Sequence, residues 1–472
     1  MTRSPIVWSL VQRFGTDALS FTTLLVLAWL LRPADFGVVG IAAVWVGLIS
    51  AFSELGLGAA VIQRTSIAPH HLSSTFFLNL GMGITFAVIG VAASGLIARL
   101  FRAPEVQPVV AVLSLGFVLT SLSQTQQALA YRELRLRDIA VRDVLASAVG
   151  GASAIILAIR GFGVWSLVVQ SIASSATASL LLWRMSPWRP RIREASLQSI
   201  RELWGYSSSI LLFNLVKFVS QNTDRVLVGR FLGAPMLGVY NFAHKVVVYP
   251  SSALAGALGQ YQFPRFSRLQ EDLGEVRSSY LLFNRASAGV VLPALLVIAA
   301  LSPVFVPTFF GSEWLAAVPL MRIFTLVALA VVVMSPMGTL MKSLGRPTWL
   351  FWWSIGFTVV ATALLWLGTS WGLVGAVAGL ASAYVISLPV VYLLTSKLLN
   401  LTIGEFLRPF VPSTVACVLA IAVVVAVLAI IPGSLPSWLV PASGLGLVVY
   451  CFVILRMDRP FLAQVLEKLR TR

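Results

Sequence analysis

The stretch "FNLVKFVSQNTDRVLVGRFLG", residues 213–233, decides how the chain is read. Its 21 residues match the roughly 20 that an α-helix needs to cross a hydrocarbon core of about 30 Å. Yet it carries Asn214, Lys217, Gln221, Asn222, Asp224 and Arg225. On a helix advancing about 100° per residue, Asn214, Lys217, Gln221, Asp224 and Arg225 share an arc of about 100°, and Leu, Val and Phe cover the rest. A polar stripe of that width faces a bundle interior or a water-filled cavity, not lipid.

The whole chain fits that setting. Of 472 residues, 58% are hydrophobic and 11% are charged, against roughly 25% charged in ordinary soluble domains. Apolar runs of span length lie near 6–31, 38–62, 73–98, 106–130, 139–159, 163–183, 206–229, 236–260, 280–308, 317–341, 348–368, 372–396, 409–431 and 436–455. The expected fold is therefore an all-α polytopic membrane protein of about 14 transmembrane helices. Pro293 and Pro303 mark the ninth run as a candidate for a kink. The N-terminal run contains Arg13 and Asp17 and precedes no small-residue cleavage site, so it reads as a retained span and not a signal peptide.

The net charge of +17 would suggest nucleic acid in a soluble protein. Its distribution argues otherwise. With the N-terminus cytoplasmic, 23 of the 34 Lys and Arg fall on the cytoplasmic side and 5 on the other. That is the positive-inside asymmetry, and it places both termini in the cytoplasm without any nucleic-acid partner. Leu197, Ile200, Leu203 and Trp204 share one helical face, with Arg193 and Arg201 elsewhere, and the tail 456–472 repeats the design. Each reads as an amphipathic helix on the inner membrane surface, or more plainly as a solvated linker and a frayed tail.

A repeat underlies the hydrophobicity. "DFGVVGIA" (35–42) returns as "MLGVYNFA" (236–243), and "ELGLG" (54–58) as "AGALG" (255–259), both at an offset of 201. "GFGVWSLV" (161–168) returns as "SWGLVGAV" (370–377), offset 209, and "YRELR" (131–135) sits where "KSLGR" (342–346) does. The expectation is two six-helix lobes, 1–183 and 206–398, joined by a cytoplasmic amphipathic linker, 184–205. An even number of spans makes them parallel repeats about an axis along the membrane normal. Two additional helices occupy 399–455, where Pro409 to Leu455 holds no ionisable side chain but cysteine and tyrosine; the cytoplasmic tail is 456–472.

Nine charged side chains lie at membrane depth: Arg13, Lys217, Arg225, Lys245, Arg285 and Arg322 against Asp17, Glu54 and Asp224. Each costs about 2.5–3.5 kcal/mol at the bilayer centre, so retention implies use. The first span shows the same polar face as the opening stretch, through Arg13, Thr16, Asp17 and Ser20. Arg13–Asp17 and Asp224 with a neighbour are alternatively structural pairs, and Arg285 and Arg322 alternatively snorkel to a surface. The basic excess points to a cationic cavity for a phosphate-bearing, sugar-bearing substrate, held by Arg13, Lys217, Gln221, Arg225, Lys245, Arg285 and Arg322. Asp17, Glu54 and Asp224 are candidates for ion coupling. His244 reads as a packing residue before a titrating one.

No enzyme or cofactor motif is present: no Walker A, no H-E-x-x-H, no D-x-D and no G-x-G-x-x-G. Cys417 and Cys451 sit in uncharged apolar runs and read as buried inert thiols, with no disulfide or metal site expected. Neither an enzyme nor a cofactor is expected.

In "LLRPADFGVVGIAAVW" (30–45), "SELGLGAAVIQR" (53–64), "QQALAYRELRLRDIA" (126–140) and "NTDRVLVGRFLGAPMLGVYNFAHKV" (222–246), the chain resembles the Wzx-type oligosaccharide flippases. These polysaccharide transporters belong to the multidrug/oligosaccharidyl-lipid/polysaccharide exporter superfamily. The resemblance covers the first twelve spans. It implies translocation of an undecaprenyl-diphosphate-linked oligosaccharide from the inner to the outer leaflet of a bacterial plasma membrane, for exopolysaccharide, capsule or O-antigen. The implied partners are that lipid-linked substrate, bilayer lipids, and a polymerase or other assembly proteins. The related peptidoglycan-precursor flippase also has fourteen spans, the last two forming an apolar groove for a lipid tail. A multidrug exporter of the superfamily is the alternative, although cationic drugs would prefer an acidic cavity. A membrane glycosyltransferase or polymerase, from another class, would carry a long outer loop that this chain lacks.

Overall fold

The computed structural model describes residues 5–53, 58, 61–62, 67–196, 218–430 and 435–457. They form α1 (Pro5–Leu30), α2 (Pro33–Ser53), α3 (Pro69–Phe101), α4 (Val106–Arg132), α5 (Leu136–Ile159) and α6 (Val164–Met185). A helix over 218–232 is α7. Then come α8 (Ala234–Arg268), α9 (Leu273–Phe310), α10 (Ala317–Ser343), α11 (Pro347–Gly368), α12 (Gly372–Leu399), α13 (Val411–Ile430) and α14 (Leu435–Met457). No strand occurs among the described residues. The described helices fall on the expected spans, with residues 54–57 of the second and 206–217 of the seventh outside the described residues, and α9 runs through Pro293, Pro303 and Pro307 as one helix. Residues 197–217 and the tail beyond Met457, where the two amphipathic segments were expected, lie outside the described residues.

Among the described residues eight helices are long and apolar enough to cross a membrane. The outer faces of these helices, and of the shorter apolar helices α13 and α14, identify the solvent. Val88, Leu96 and Leu100 on α3, Trp352, Val359 and Trp366 on α11, and Val418, Val448 and Phe452 on α13 and α14 are all exposed. Apolar surface on this scale is stable only against lipid. The chain is a multi-pass membrane protein.

Two compact units divide it, Met1–Asn241 and Phe242–Arg472. In the first, α3 packs on α4, α5 on α6, α4 on α6 and α1 on α5. In the second, α9 packs on α10, α11 on α12 and α10 on α12, the same pairings six helices later. The corners repeat as well. Arg102, Leu134 and Gly163 have φ of 54°, 54° and 55°, and Gly311, Gly345 and Gly372 have φ of 83°, 69° and 75°. These residues close the third and ninth helices, close the fourth and tenth, and open the sixth and twelfth.

The fourth-helix corner repeats down to its hydrogen bonds. Arg135 N–H donates to Ala130 O at 2.9 Å and Leu134 N–H to Tyr131 O at 3.1 Å. In the second unit Arg346 N–H donates to Met341 O at 2.8 Å and Gly345 N–H to Lys342 O at 3.3 Å. Each is a left-handed helix stop that satisfies carbonyls the last turn would otherwise orphan. "YRELR" and "KSLGR" are thus one structural motif.

Within the first unit, α2 crosses the start of α8 at near backbone contact. A Cβ on Gly37 would stand 1.7 Å from Ala234 O, and one on Gly238 would stand 1.8 Å from Pro33 O. Residues 33 and 37 are thus reciprocally matched with 234 and 238, at the sequence offset of 201. Reciprocal contact of this kind is the mark of a local twofold between the two segments. Glycine lets the two backbones approach as they do at small-residue helix crossings in membranes.

In the second unit α13 and α14 pack on each other and on α9. Ala288, Leu292, Ala416, Cys417 and Tyr450 form their buried seam, and Tyr450 Oη donates to Gly289 O at 2.7 Å. Both cysteines are free, but only Cys417 is buried. Cys451 is exposed on α14, a correction to the expectation of two buried thiols. It belongs to the apolar outer face with Val448, Phe452 and Leu455, where a weakly polar thiol suits lipid contact.

Candidate functional site

The polar face of the opening stretch is built by the hairpin of α7 and α8. Gly233, at φ 86°, turns the chain between them. Asp224 lies about two turns before that corner and Tyr240 about two turns after it, so the hairpin brings them level. Tyr240, fully buried, donates its hydroxyl to Asp224 Oδ2 at 2.5 Å. The other carboxylate oxygen, Oδ1, is buried with no hydrogen-bond partner among the described residues.

Arg225 is handled differently. Its Nη1 donates to Asn222 Oδ1 at 2.8 Å, and Asn222 Nδ2 donates back to Phe218 O at 2.9 Å. Arg225 is thus oriented by a neutral amide anchored to its own helix, and Asp224 is engaged by a phenol. Neighbours in sequence point about 100° apart on a helix. Arg225 is half-buried and Gln221 is exposed on the same helix. A half-buried guanidinium whose described partner is uncharged keeps its attraction for an anion. Lys217 and Glu54 lie outside the described residues.

The first polar helix, α1, holds Arg13 and Asp17 half-buried. Thr16 returns its hydroxyl to Gln12 O at 2.7 Å. Gln12 Nε2 donates to Asp143 Oδ2 at 2.6 Å, and Asp143 Oδ1 accepts from Arg142 Nε at 2.7 Å. Arg142 is buried. Arg142 lies in the second turn of α5, which begins at Leu136. A buried guanidinium is tolerated when a carboxylate and further hydrogen bonds accompany it, and Asp143 is next to it. The adjacent "RD" in a run preceding an apolar helix was the available signal.

In the second unit, Lys245 on α8 and Arg322 on α10 are exposed, and Arg285 on α9 is half-buried. His244 packs edge-on to Phe324 with ring centroids 5.4 Å apart, a packing role. Arg285 lines a cavity of about 280 Å³ with Ser278, Leu281, Leu282, Glu405, Arg408 and Pro409. Glu405 forms an ion pair there with Arg277. No group of His, Cys, Asp and Glu among the described residues is arranged to hold a metal ion.

The model of a family described as "Polysaccharide biosynthesis protein" matches residues 26–319. The succinoglycan biosynthesis transport protein ExoT of Rhizobium meliloti (strain 1021) is 26% identical over 98% of this chain and 95% of its own. The lipopolysaccharide biosynthesis protein WzxC of Escherichia coli (strain K12) is 27% identical over 73% of this chain and 70% of its own. Among solved structures, the lipid II flippase MurJ in an inward closed conformation superposes with a TM-score of 0.75 at 12% identity, covering 97% of this chain and 100% of that one. An inward-facing multidrug resistance MATE family transporter gives 0.63 at 15% identity over 84% and 98%. At such identities the likeness is one of fold.

Proposed function

Because the chain belongs to the polysaccharide biosynthesis protein family, matched over residues 26–319, we propose that it is a flippase for a lipid-linked oligosaccharide. It is a membrane transporter, not an enzyme. The cargo is a repeat unit carried on undecaprenyl diphosphate, moved from the inner to the outer leaflet of a bacterial plasma membrane to feed an exopolysaccharide, capsule or O-antigen. The relatives named for succinoglycan transport and for lipopolysaccharide biosynthesis support this substrate class.

The observation that carries the mechanism is Arg225. It sits in a span, half-buried, with a neutral amide as its hydrogen-bonded partner. A cation kept there costs about 2.5–3.5 kcal/mol and is offset when an anionic headgroup arrives. Arg13, Lys217, Gln221, Lys245, Arg285 and Arg322 are proposed to share the work of screening the diphosphate and sugars, and Asp17, Glu54 and Asp224 to serve any coupled cation. The two lobes, 1–183 and 206–398, alternate access around the substrate, with both termini and the 184–205 linker cytoplasmic. A potential negative inside assists export of the anionic head by about 2.3 kcal/mol per charge per 100 mV. The basic excess is what disfavours a multidrug exporter of cations.

The test is polysaccharide export with membrane abundance measured alongside. Arg225→Ala is expected to lose export at normal abundance, and Arg225→Lys to keep part of it. Normal export by Arg225→Glu at wild-type abundance contradicts the cationic mechanism while leaving the family untouched.

A further inference from the structure

The chain between α6 and α7 begins as a built structure and not as a loose linker. Residues 186–196, "SPWRPRIREAS", leave α6 at Ser186 and cross the first turns of α3. Their 3-10 turn, Ile192–Glu194, packs on α3. Two serines of α3 receive them. Ser73 Oγ donates to Glu194 Oε2 at 3.1 Å and accepts from Arg191 N–H at 3.3 Å. Ser74 Oγ donates to His70 O at 2.6 Å and accepts from Ser196 N–H at 2.8 Å. Both serines are fully buried, and each uses its hydroxyl as donor and acceptor at once.

Behind this latch the segment is held by rings and carbonyls. Trp188 meets Phe76 edge-on with ring centroids 6.2 Å apart, and packs against the cluster of Val61, Leu72, Ala128 and Leu129. Arg189 lies 5.4 Å over the Trp183 ring and donates to the carbonyls of Trp183 and Trp188. Arg135 Nη1, from the corner between α4 and α5, donates to Met185 O at 3.0 Å. Pro187 and Pro190 fix two φ angles in advance, so less freedom is lost on docking. Glu194 is the only carboxylate in the stretch. Its ion pair with Arg191 is solvent-facing on the arginine side, and such pairs add little. The contact of Glu194 with buried Ser73 is therefore the one that closes the latch.

We infer that 186–196 is a strap whose docking sets the reach of the connection between the two halves of the chain, short while Ser73 holds Glu194 and longer once it is released. The inference rests on the proposed reading that the two lobes move against each other. With the strap docked, nine residues, 197–205, remain before the second lobe, and they span about 30 Å fully extended. Released from Ser186 onward, the connection has 20 residues and spans about 70 Å. A docked strap thus bounds the separation of the lobes at the ends it joins. The latch governs the amplitude of their movement and is separate from the cationic residues proposed to meet the cargo.

Hydrogen exchange and spin-label distance measurements on the purified full-length protein test this. The amides of Arg191 and Ser196 are expected to exchange about tenfold or more slowly in wild type than in Glu194→Lys, which removes the acceptor and sets a further cation beside Arg191 and Arg193. Glu194→Gln, still an acceptor for Ser73, is expected to keep most of the protection. Spin labels at Leu134→Cys and Thr348→Cys, both exposed and beside the equivalent corners of the two halves, are placed in a Cys417→Ala/Cys451→Ala background. They are expected to reach longer distances in Glu194→Lys than in wild type or Glu194→Gln. Fast exchange across 186–196 in wild type, or undiminished protection in Glu194→Lys, overturns the strap. Exchange quickened through all of α3 in Glu194→Lys also overturns it, in favour of a structural clamp. Unchanged distances in a Glu194→Lys protein whose strap exchanges freely overturn the tether: alone if wild type itself shows several distances, together with the two-lobe movement if every variant shows one fixed distance.

Discussion

Leu134 occupies a left-handed corner that its counterpart Gly345 adopts without a Cβ. An L-residue pays about 1–2 kcal/mol there, and Leu134 is 71% exposed, so its side chain contributes little packing in return. Leu134→Gly is expected to leave the melting temperature of the purified protein unchanged or raise it, after the entropy glycine loses on folding of about 0.5–1 kcal/mol. Leu134→Val is expected to lower it, since a β-branched residue fits the left-handed region worst. A lower melting temperature for the Gly variant would show that the corner is held by contacts of the leucine itself.

Glu405 carries a prediction of its own. The Thr402 N–H first, then the Thr402 hydroxyl and Arg277, hold its carboxyl below the ordinary value of 4.5. A depressed folded pKa contributes stability that is present above 4.5 and lost as pH falls through the folded value. Hydrogen exchange across 402–409 is expected to quicken as pH is lowered below that point, after correction for intrinsic rates. Glu405→Gln should exchange faster at neutral pH and lack the pH dependence.

At the scale of elements, the crossing of α2 and α8 depends on Gly37 and Gly238, since either Cβ would overlap a carbonyl oxygen at under 2 Å. Gly37→Ala or Gly238→Ala is expected to destabilise by about 1–3 kcal/mol or more, as overpacking does, with reduced abundance and melting temperature. The double variant should cost less than the sum of the two, because one separation of the helices relieves both clashes. Additive losses would argue against a shared contact.

Much of this level was legible in advance. The fourteen helices follow from apolar runs, which membranes make nearly unambiguous because each span must satisfy its own backbone. The repeat was visible because glycines and corner residues answer to backbone geometry: Gly37 and Gly238, Gly163 and Gly372, and "YRELR" and "KSLGR" each mark a place where the chain must turn or approach closely. Side-chain pairing was not legible. Helical angle placed Asp224 and Arg225 on one polar face, but could not show that Tyr240 would take the acid and Asn222 the base. The Gln12–Asp143–Arg142 contact joins residues 131 apart, and nothing periodic marks it. Arg285 looked like one more cation in a span; that it shares a pocket with Arg408 depends on how the 402–409 turn folds back.

At the scale of the whole molecule, the chain is a multi-pass membrane protein of the polysaccharide biosynthesis protein family, and the proposed transport rests on direction and charge. Reporter fusions within 189–194 and at the C-terminus are expected to report cytoplasm, from the 23-to-5 basic asymmetry; a periplasmic signal at either would reverse the proposed direction of transport. The most direct test of the central claim is the leaflet distribution of the lipid-linked repeat unit in cells making wild-type, Arg225→Lys or Arg225→Glu protein at matched abundance. The account predicts that the unit is accessible at the outer leaflet with wild type, less so with Arg225→Lys, and accumulates on the inner leaflet with Arg225→Glu. Wild-type outer-leaflet levels with Arg225→Glu would contradict it.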